Sequence, residues 1–139
     1  MSDESKIDYL EQLQIRGTGA LDKKMGIKIL EASPQRLVAT MPVDGNTQAV
    51  GLLHGGASVV LAESLGSIGT ALHAGLNRRI VGVDINATHH RSATSGIVTG
   101  TATAISLGKT MCSYEIVINN EQGQRICTSR ITCLILAQR

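Results

Sequence analysis

The chain has 139 residues, 42% of them hydrophobic, with 15 glycines, and its 13 basic and 11 acidic residues sum to a formal charge of +2. That length suits one domain, able to hide about two-thirds of its unfolded surface without disulfide or metal support, and the even charge argues against a dedicated nucleic-acid binder. Trp and Phe are absent and Tyr9 and Tyr114 are the two tyrosines, so base-stacking platforms are not expected and the core must come from Ile, Leu, Val, Ala and Met.

The first residues, Met1 to Lys6, are polar and lead into no apolar signal core, so a cytoplasmic location is expected. Ile7, Leu10, Leu13 and Ile15 space a short amphipathic helix over Ile7 to Ile15, ended by Gly17 and Gly19. Residues 1–24 thus form a helical lead-in. From Gly26 the pattern alternates: Ile27 and Ile29, then Leu37, Ala39 and Met41, predict two strands with Ser33-Pro34-Gln35 as their turn.

Alternation stops at Gly55 and returns near Arg79. Between them Ala57-Ser58-Val59-Val60-Leu61-Ala62 runs on through Leu65, Ile68, Ala71 and Leu72, long enough for a helix over Gly55 to Ala74 and apolar on nearly all sides, as in a buried helix. Four strands follow, near Arg79–His90, Gly96–Leu107, Thr110–Asn119 and Arg125–Ala137, with turn formers between them. Short connections predict an antiparallel meander. The expected architecture is α+β: an antiparallel sheet wrapped around one long helix, in a single domain over residues 1–139.

Cys112, Cys127 and Cys133 are odd in number and form no Cys-x-x-Cys pair, which fits buried reduced thiols better than a disulfide framework or zinc ribbon. Charge is uneven along the chain, with seven basic and three acidic residues after position 77. That surplus is weak support for an anionic ligand there.

Between Gly45 and Asn77 the one formal charge is Glu63. A carboxylate within a buried helix is costly unless paired or hydrogen-bonded, and no Lys or Arg shares that helix. A structural role remains open, with Glu63 turned to solvent or met by an arginine of the sheet. Ser67 follows at i+4 and Ser64 stands beside it, so hydroxyls can hold a carboxylate or a ligand. Upstream, Gln48 and the segment Leu53-His54-Gly55-Gly56-Ala57 bring an amide, an imidazole and two glycines to the helix start. Backbone N–H groups there are free and the helix dipole is positive, so the terminus can polarise a carbonyl and stabilise an oxyanion. Carboxylate, oxyanion donors and orienting groups together make an acyl-transfer kit.

Two other chemistries fit less well. Leu65-Gly66-Ser67-Ile68-Gly69 approaches a serine-hydrolase elbow but lies inside a helix. His54, Glu63 and His89 or His90 are metal-binding types without a compact spacing. His89 and His90 are adjacent on a strand, which turns them to opposite faces.

These residues resemble a family, the hotdog-fold thioesterases of the 4-hydroxybenzoyl-CoA and phenylacetate-pathway type. The resemblance rests on Gln48, on the run from Gly51 through His54-Gly55-Gly56 to Glu63-Ser64, and on Val83-Asp84-Ile85-Asn86-Ala87-Thr88-His89-His90-Arg91. It extends from about Met25 to the end of the chain and is strongest toward the 1,4-dihydroxy-2-naphthoyl-CoA thioesterases of menaquinone biosynthesis and their carrier-protein proofreading relatives. It implies a hotdog domain paired edge to edge in a homodimer, usually doubled to a tetramer, with active sites between subunits. Neither metal nor cofactor is implied, and neither a nucleic-acid nor a membrane partner. By the same resemblance Glu63 acts on the thioester as base or nucleophile, the Gly55 N–H polarises its carbonyl, and Gln48 and His54 orient thioester or water. Substrate contacts are implied for Ser67, Ser64, His89, Arg91, Gly56 and Val60. The low aromatic content departs from an aryl-binding pocket and leaves Val59, Val60, Ile68 and Leu72 as its walls. Arg91, Lys109 and Arg130 are the expected phosphate contacts for CoA. Two rival readings stay open: a hotdog dehydratase or hydratase, and a non-catalytic acyl-CoA sensor in which Glu63 is structural.

Overall fold

The computed structural model describes residues 7–138. The lead-in holds two short helices, α1 (Tyr9–Arg16) and α2 (Ala20–Met25). Asp8 caps α1 by accepting from the Glu11 N–H at 3.0 Å, and Gly17 ends it. The helical lead-in expected over residues 1–24 is thus two helices, the second running one residue past that bound. α2 forms there because Gly26 takes the left-handed conformation (φ 75°) and its N–H closes the last turn on Asp22 and Lys23.

The hairpin is present as β1 (Lys28–Ala32) and β2 (Arg36–Pro42), followed by α3 (Gly55–Ala74) with the bounds its apolar run predicts. The later strands are β3 (Ile80–His89), β4 (Ile97–Leu107), β5 (Met111–Asn119) and β6 (Arg125–Ile135). They do not form a four-strand meander. The six-stranded sheet has the order β1-β2-β4-β5-β6-β3, antiparallel throughout. Only β4, β5 and β6 meander; β3 crosses to the far edge and pairs with β6, because β2 has taken the place beside β4. With β3 there, the sheet curls around α3, which touches every strand from β2 to β6.

The core is mostly aliphatic, with Leu37, Met41, Leu61, Leu65, Ile116 and Ile131 fully buried. Its largest fully buried side chain is nevertheless Tyr114, which the aliphatic-core expectation omitted. Its hydroxyl donates to the Pro34 carbonyl, so the polar tip is satisfied inside the β1–β2 turn. Gly66 and Gly69 face the sheet where α3 crosses it: a Cβ at Gly66 would lie 2.2 Å from Ile131 Cγ2, and one at Gly69 2.5 Å from the Tyr114 oxygen. The two glycines that resemble a serine-hydrolase motif are packing positions.

The sheet leaves one side of α3 uncovered. Gly56, Val60, Glu63 and Ser67, spaced by four, three and four residues, form a stripe along that side and are half-buried or exposed. The helix is therefore not buried all round.

Candidate active site

His54 is the N-cap of α3, and its Nδ1 accepts from the Gly56 N–H at 2.8 Å. That bond requires an unprotonated Nδ1, which in the neutral ring leaves the proton on Nε2 as an outward donor. The Ala57 and Ser58 N–H groups turn back to the His54 carbonyl. Of the first four N–H groups of the helix, the Gly55 N–H is the one with no acceptor among the described residues. It is a free donor at the positive end of a 20-residue helix. The His89 ring lies beside Gly55, with Nε2 2.9 Å from where a Gly55 Cβ would be, so a larger residue there would have to displace that exposed ring.

Gln48 sits in the preceding loop. Its Oε1 accepts from the Val50 N–H at 2.6 Å and the Leu52 N–H at 3.3 Å, which points the side chain's remaining capacity, the NH2 donors, away from the loop. Asn46 secures the loop by donating to the Met25 and Pro42 carbonyls, both at 2.8 Å. Gln48, Gly55, His89 and Arg91 border a common cavity of about 460 Å³. His90 borders it as well, with its Nε2 2.8 Å from Thr128 Oγ1. Strand β3 ends at His89, so the alternation that would turn the two histidines apart no longer holds.

Glu63 lies elsewhere. Eight residues along α3 correspond to about 12 Å of rise and about 80° of rotation from Gly55. The carboxylate is exposed, not buried as the sequence suggested, and none of the described Lys or Arg residues lies within salt-bridge distance of it. The reason is its place on the open stripe of α3, beside edge strand β3. Oε1 stands 2.9 Å from the position of a Gly82 Cβ, so the acid rests against bare backbone. The β3–β6 register shifts between Gly82 and Asp84, a bulge at that same point. An isolated glycine within an alternating strand was the available signal for this close approach.

With Val60, Ser64 and Ser67, Glu63 borders a second cavity of about 960 Å³. Ser67 Oγ is 3.9 Å from Cys133 Sγ, and Ser64 Oγ donates to Asp22 Oδ1 at 2.6 Å. Ile68 also borders this cavity, whereas Leu72 packs into the core and Val59 meets neither space. The cations bordering this cavity are Arg16, Arg78 and Arg79; Arg91 borders the Gly55 cavity, and Lys109 and Arg130 border neither. The grouping of His54, Glu63 and His89 weighed as a metal site does not form, since His54 caps the helix and Glu63 lies two turns on.

Asp22, on α2, is 4% exposed. Burial raises its pKa, with the Ser64 hydrogen bond acting more weakly the other way. An acid so raised binds protons more tightly in the folded state, so its stability contribution is full below the ordinary carboxylate value and is lost as pH climbs through the raised one. Asp22→Asn, which cannot ionise, is expected to gain in Tm relative to the wild type as pH rises above about 4. A difference that stays flat with pH contradicts this.

A family model described as the thioesterase superfamily matches residues 50–127. The chain belongs to the thioesterase superfamily. The thioesterase is 43% identical over 128 residues to a proofreading thioesterase of Cronobacter turicensis, covering 91% of this chain and 93% of that one. It is 44% identical over 128 residues to the 1,4-dihydroxy-2-naphthoyl-CoA hydrolase of Escherichia coli K12, covering 91% and 94%. Among solved structures, a thioesterase of Haemophilus influenzae superposes with a TM-score of 0.86 at 39% identity, covering 94% of this chain and 92% of that one. The sheet around α3 is thus the hotdog fold, and the protein is a thioester hydrolase.

All three cysteines of this thioesterase are buried and unpaired. Burial pushes each thiol's pKa up, so they are both shielded and protonated. A chromogenic disulfide reagent is expected to label none of the three within minutes in the native protein and all three after denaturation. Rapid labelling of native enzyme contradicts the packing of β5 and β6.

Proposed function

We propose that the protein hydrolyses an acyl-CoA thioester, with aryl acids such as hydroxynaphthoyl or hydroxybenzoyl as the acyl group. The observation that carries this reading is the unpartnered Gly55 N–H at the head of α3, with the Gln48 amide donors bordering the same cavity. The substrate carbonyl oxygen accepts from the Gly55 N–H, where the helix dipole stabilises the charge that develops as the carbonyl is attacked. Glu63 either takes a proton from the attacking water, or attacks the carbon itself to form a mixed anhydride that a water molecule then hydrolyses; in both routes the C–S bond breaks, the acyl group leaves as a carboxylate with the water oxygen incorporated, and a proton of that water goes to the thiolate. Gln48 and the His54 Nε2–H orient the thioester or the water.

Gly55 and Glu63 border different cavities of one chain. We therefore place the working site between two copies, with Gly55, Gln48 and His54 from one and Glu63 and Ser67 from the other. Edge strand β3 is the surface for such pairing, as it exposes Val81 and Val83 by 42% and 58% beside Glu63. Each copy serves as one domain. None of the described helices is long and apolar enough to cross a membrane, and reduced buried thiols fit the cytoplasm.

The test is thiol release from benzoyl, hydroxybenzoyl, hydroxynaphthoyl, phenylacetyl and medium-chain acyl-CoA. Hydrolysis of an aryl ester, lost in Glu63→Ala, supports the reading. Saturable binding of these esters without thiol release would favour the sensor instead, and conversion without a free thiol the dehydratase.

A further inference from the structure

Arg16, Arg78 and Arg79 border the 960 Å³ cavity that holds Glu63, and Arg78 and Arg79 also border a neighbouring one of about 500 Å³. The segment that carries the last two, between α3 and β3, is pinned. The Arg78 N–H donates to the Gly75 carbonyl at 3.0 Å, and the Arg79 carbonyl accepts from the Leu136 N–H at 2.9 Å. Arg78 is half-buried, and its Nη2 donates to the Leu136 carbonyl at 2.8 Å. Its Nε is closed off from solvent. Nη1 has no acceptor among the described residues either, but solvent reaches it, so a ligand can. None of the described carboxylates lies within salt-bridge distance of the three arginines. A half-buried guanidinium has lost part of its hydration, and an anion supplies what it lacks. The C-terminal end of α3 attracts cations, yet the Arg78 side chain bonds to Leu136 and not to a carbonyl of that helix.

Glu63 rests against Gly82, and Arg79 and Arg78 precede Gly82 by three and four residues, so they lie within about 11 and 14 Å of it along the chain. An acyl group with its carbonyl beside Glu63 can therefore cross the chamber, past Val60 and Ile68, and bring its far end to the arginines. We propose that Arg78, with Arg79 and Arg16, binds an anionic oxygen group of the substrate, namely a carboxylate at the far end of the acyl group. The inference rests on the thioester-hydrolysis reading above and adds to it a substrate class, the monothioesters of dicarboxylic acids. The phosphates of CoA offer the same chemistry, but the Gly55 cavity, on the other side of the reacting carbonyl, has Arg91 for them. Nη1 of Arg78 and the two exposed guanidinium groups donate to the carboxylate, while Leu136 holds Arg78 in place. Asp22 in the same cavity does not compete for the cations, because burial favours its neutral form. A neutral acyl end leaves Arg78 without an anion, and the site discriminates against it.

The experiment measures kcat/KM by thiol release for CoA esters matched except for the end charge: para-carboxybenzoyl against its methyl ester, and the suberic acid monothioester against its methyl ester. The wild type is expected to favour the charged member of at least one pair by about 10- to 100-fold. In Arg78→Gln that ratio falls to within about threefold of unity, while Arg78→Lys, which keeps the charge, holds it above about threefold. Arg16 and Arg79 are exposed, so the double variant Arg16→Gln/Arg79→Gln should fold normally and cut the ratio by about threefold or more; it decides the matter if Arg78→Gln does not fold. Structural damage alone slows both members together and leaves the ratio unchanged. The same acyl groups on pantetheine, which lacks the phosphates of CoA, separate the two sources of an anion, and the ratio should persist there. If Arg78→Gln instead slows every CoA ester, charged or neutral, and spares the pantetheine esters, Arg78 binds a CoA phosphate and the acyl assignment is overturned. A wild-type ratio near unity in both pairs, or one that survives the substitutions, overturns it as well while leaving hydrolysis intact. No thiol release by the wild type from these or the earlier esters overturns the hydrolysis reading itself.

Discussion

Glu63→Ala is expected to lower kcat on the best aryl-CoA ester by about 10³-fold, in the middle of the range for losing a positioned acid or base. The loss falls on kcat because the carboxylate acts mainly on the water or carbonyl carbon in the transition state, so KM should move by no more than about threefold. Glu63→Gln should lose nearly as much, since an amide is neither base nor nucleophile at neutral pH. Stability provides the control. The carboxylate is exposed and has no ion-pair partner among the described residues, so either variant should unfold within about 0.5 kcal/mol of the wild type. Steady-state thiol release together with urea unfolding checks both parts. A raised KM with kcat intact would make Glu63 a binding group.

Gly66→Ala is expected to destabilise the fold by about 2 kcal/mol, although Ala is worth about 1 kcal/mol more than Gly inside a helix. The added Cβ would lie 2.2 Å from Ile131 Cγ2. Ile131 is fully buried on β6 and cannot swing aside, since its β-branched side chain has little rotamer freedom and Tyr114 and Ile85 stand opposite it on the flanking strands. α3 must therefore lift from the sheet or β6 must shift. A double-mutant cycle with Ile131→Ala isolates the contact: the pair should be less destabilised than the two single changes added together, because the new methyl occupies space that Cγ2 has left. Additive energies from reversible urea unfolding would contradict this helix–sheet contact.

Periodicity alone located α3 and all six strands, because a 20-residue apolar run and alternating five- to eleven-residue runs report directly on which faces are covered. The strand order was not legible. Neighbours in sequence usually pair, and nothing in Arg91 to Gly96 says that β3 goes to the far edge while β2 pairs with β4. The mistake about Glu63 has a related cause: the apolar count around α3 cannot show that the sheet stops short of one stripe. The place of His54 and Gly55 at the head of α3 was legible because paired glycines after a histidine mark a helix start. Asp22 was not, since Asp22-Lys23-Lys24 reads as a solvated run and its burial depends on α2 folding onto Ser64, 42 residues away. Tyr114 was missed as a core residue because the partner of its hydroxyl, the Pro34 carbonyl, lies 80 residues upstream.

Mixing subunits tests the shared site most directly. Gln48→Ala and Glu63→Ala, each reduced to about a hundredth of wild-type kcat or less, are combined under conditions that exchange subunits, and thiol release is followed on the best ester. In a mixed dimer one site joins an intact Gln48 from one copy to an intact Glu63 from the other. Random exchange should therefore restore about a quarter of wild-type activity. If the mixture stays as inactive as its parents although exchange is demonstrated, Gln48 and Glu63 work within one chain, and the site between two copies is wrong.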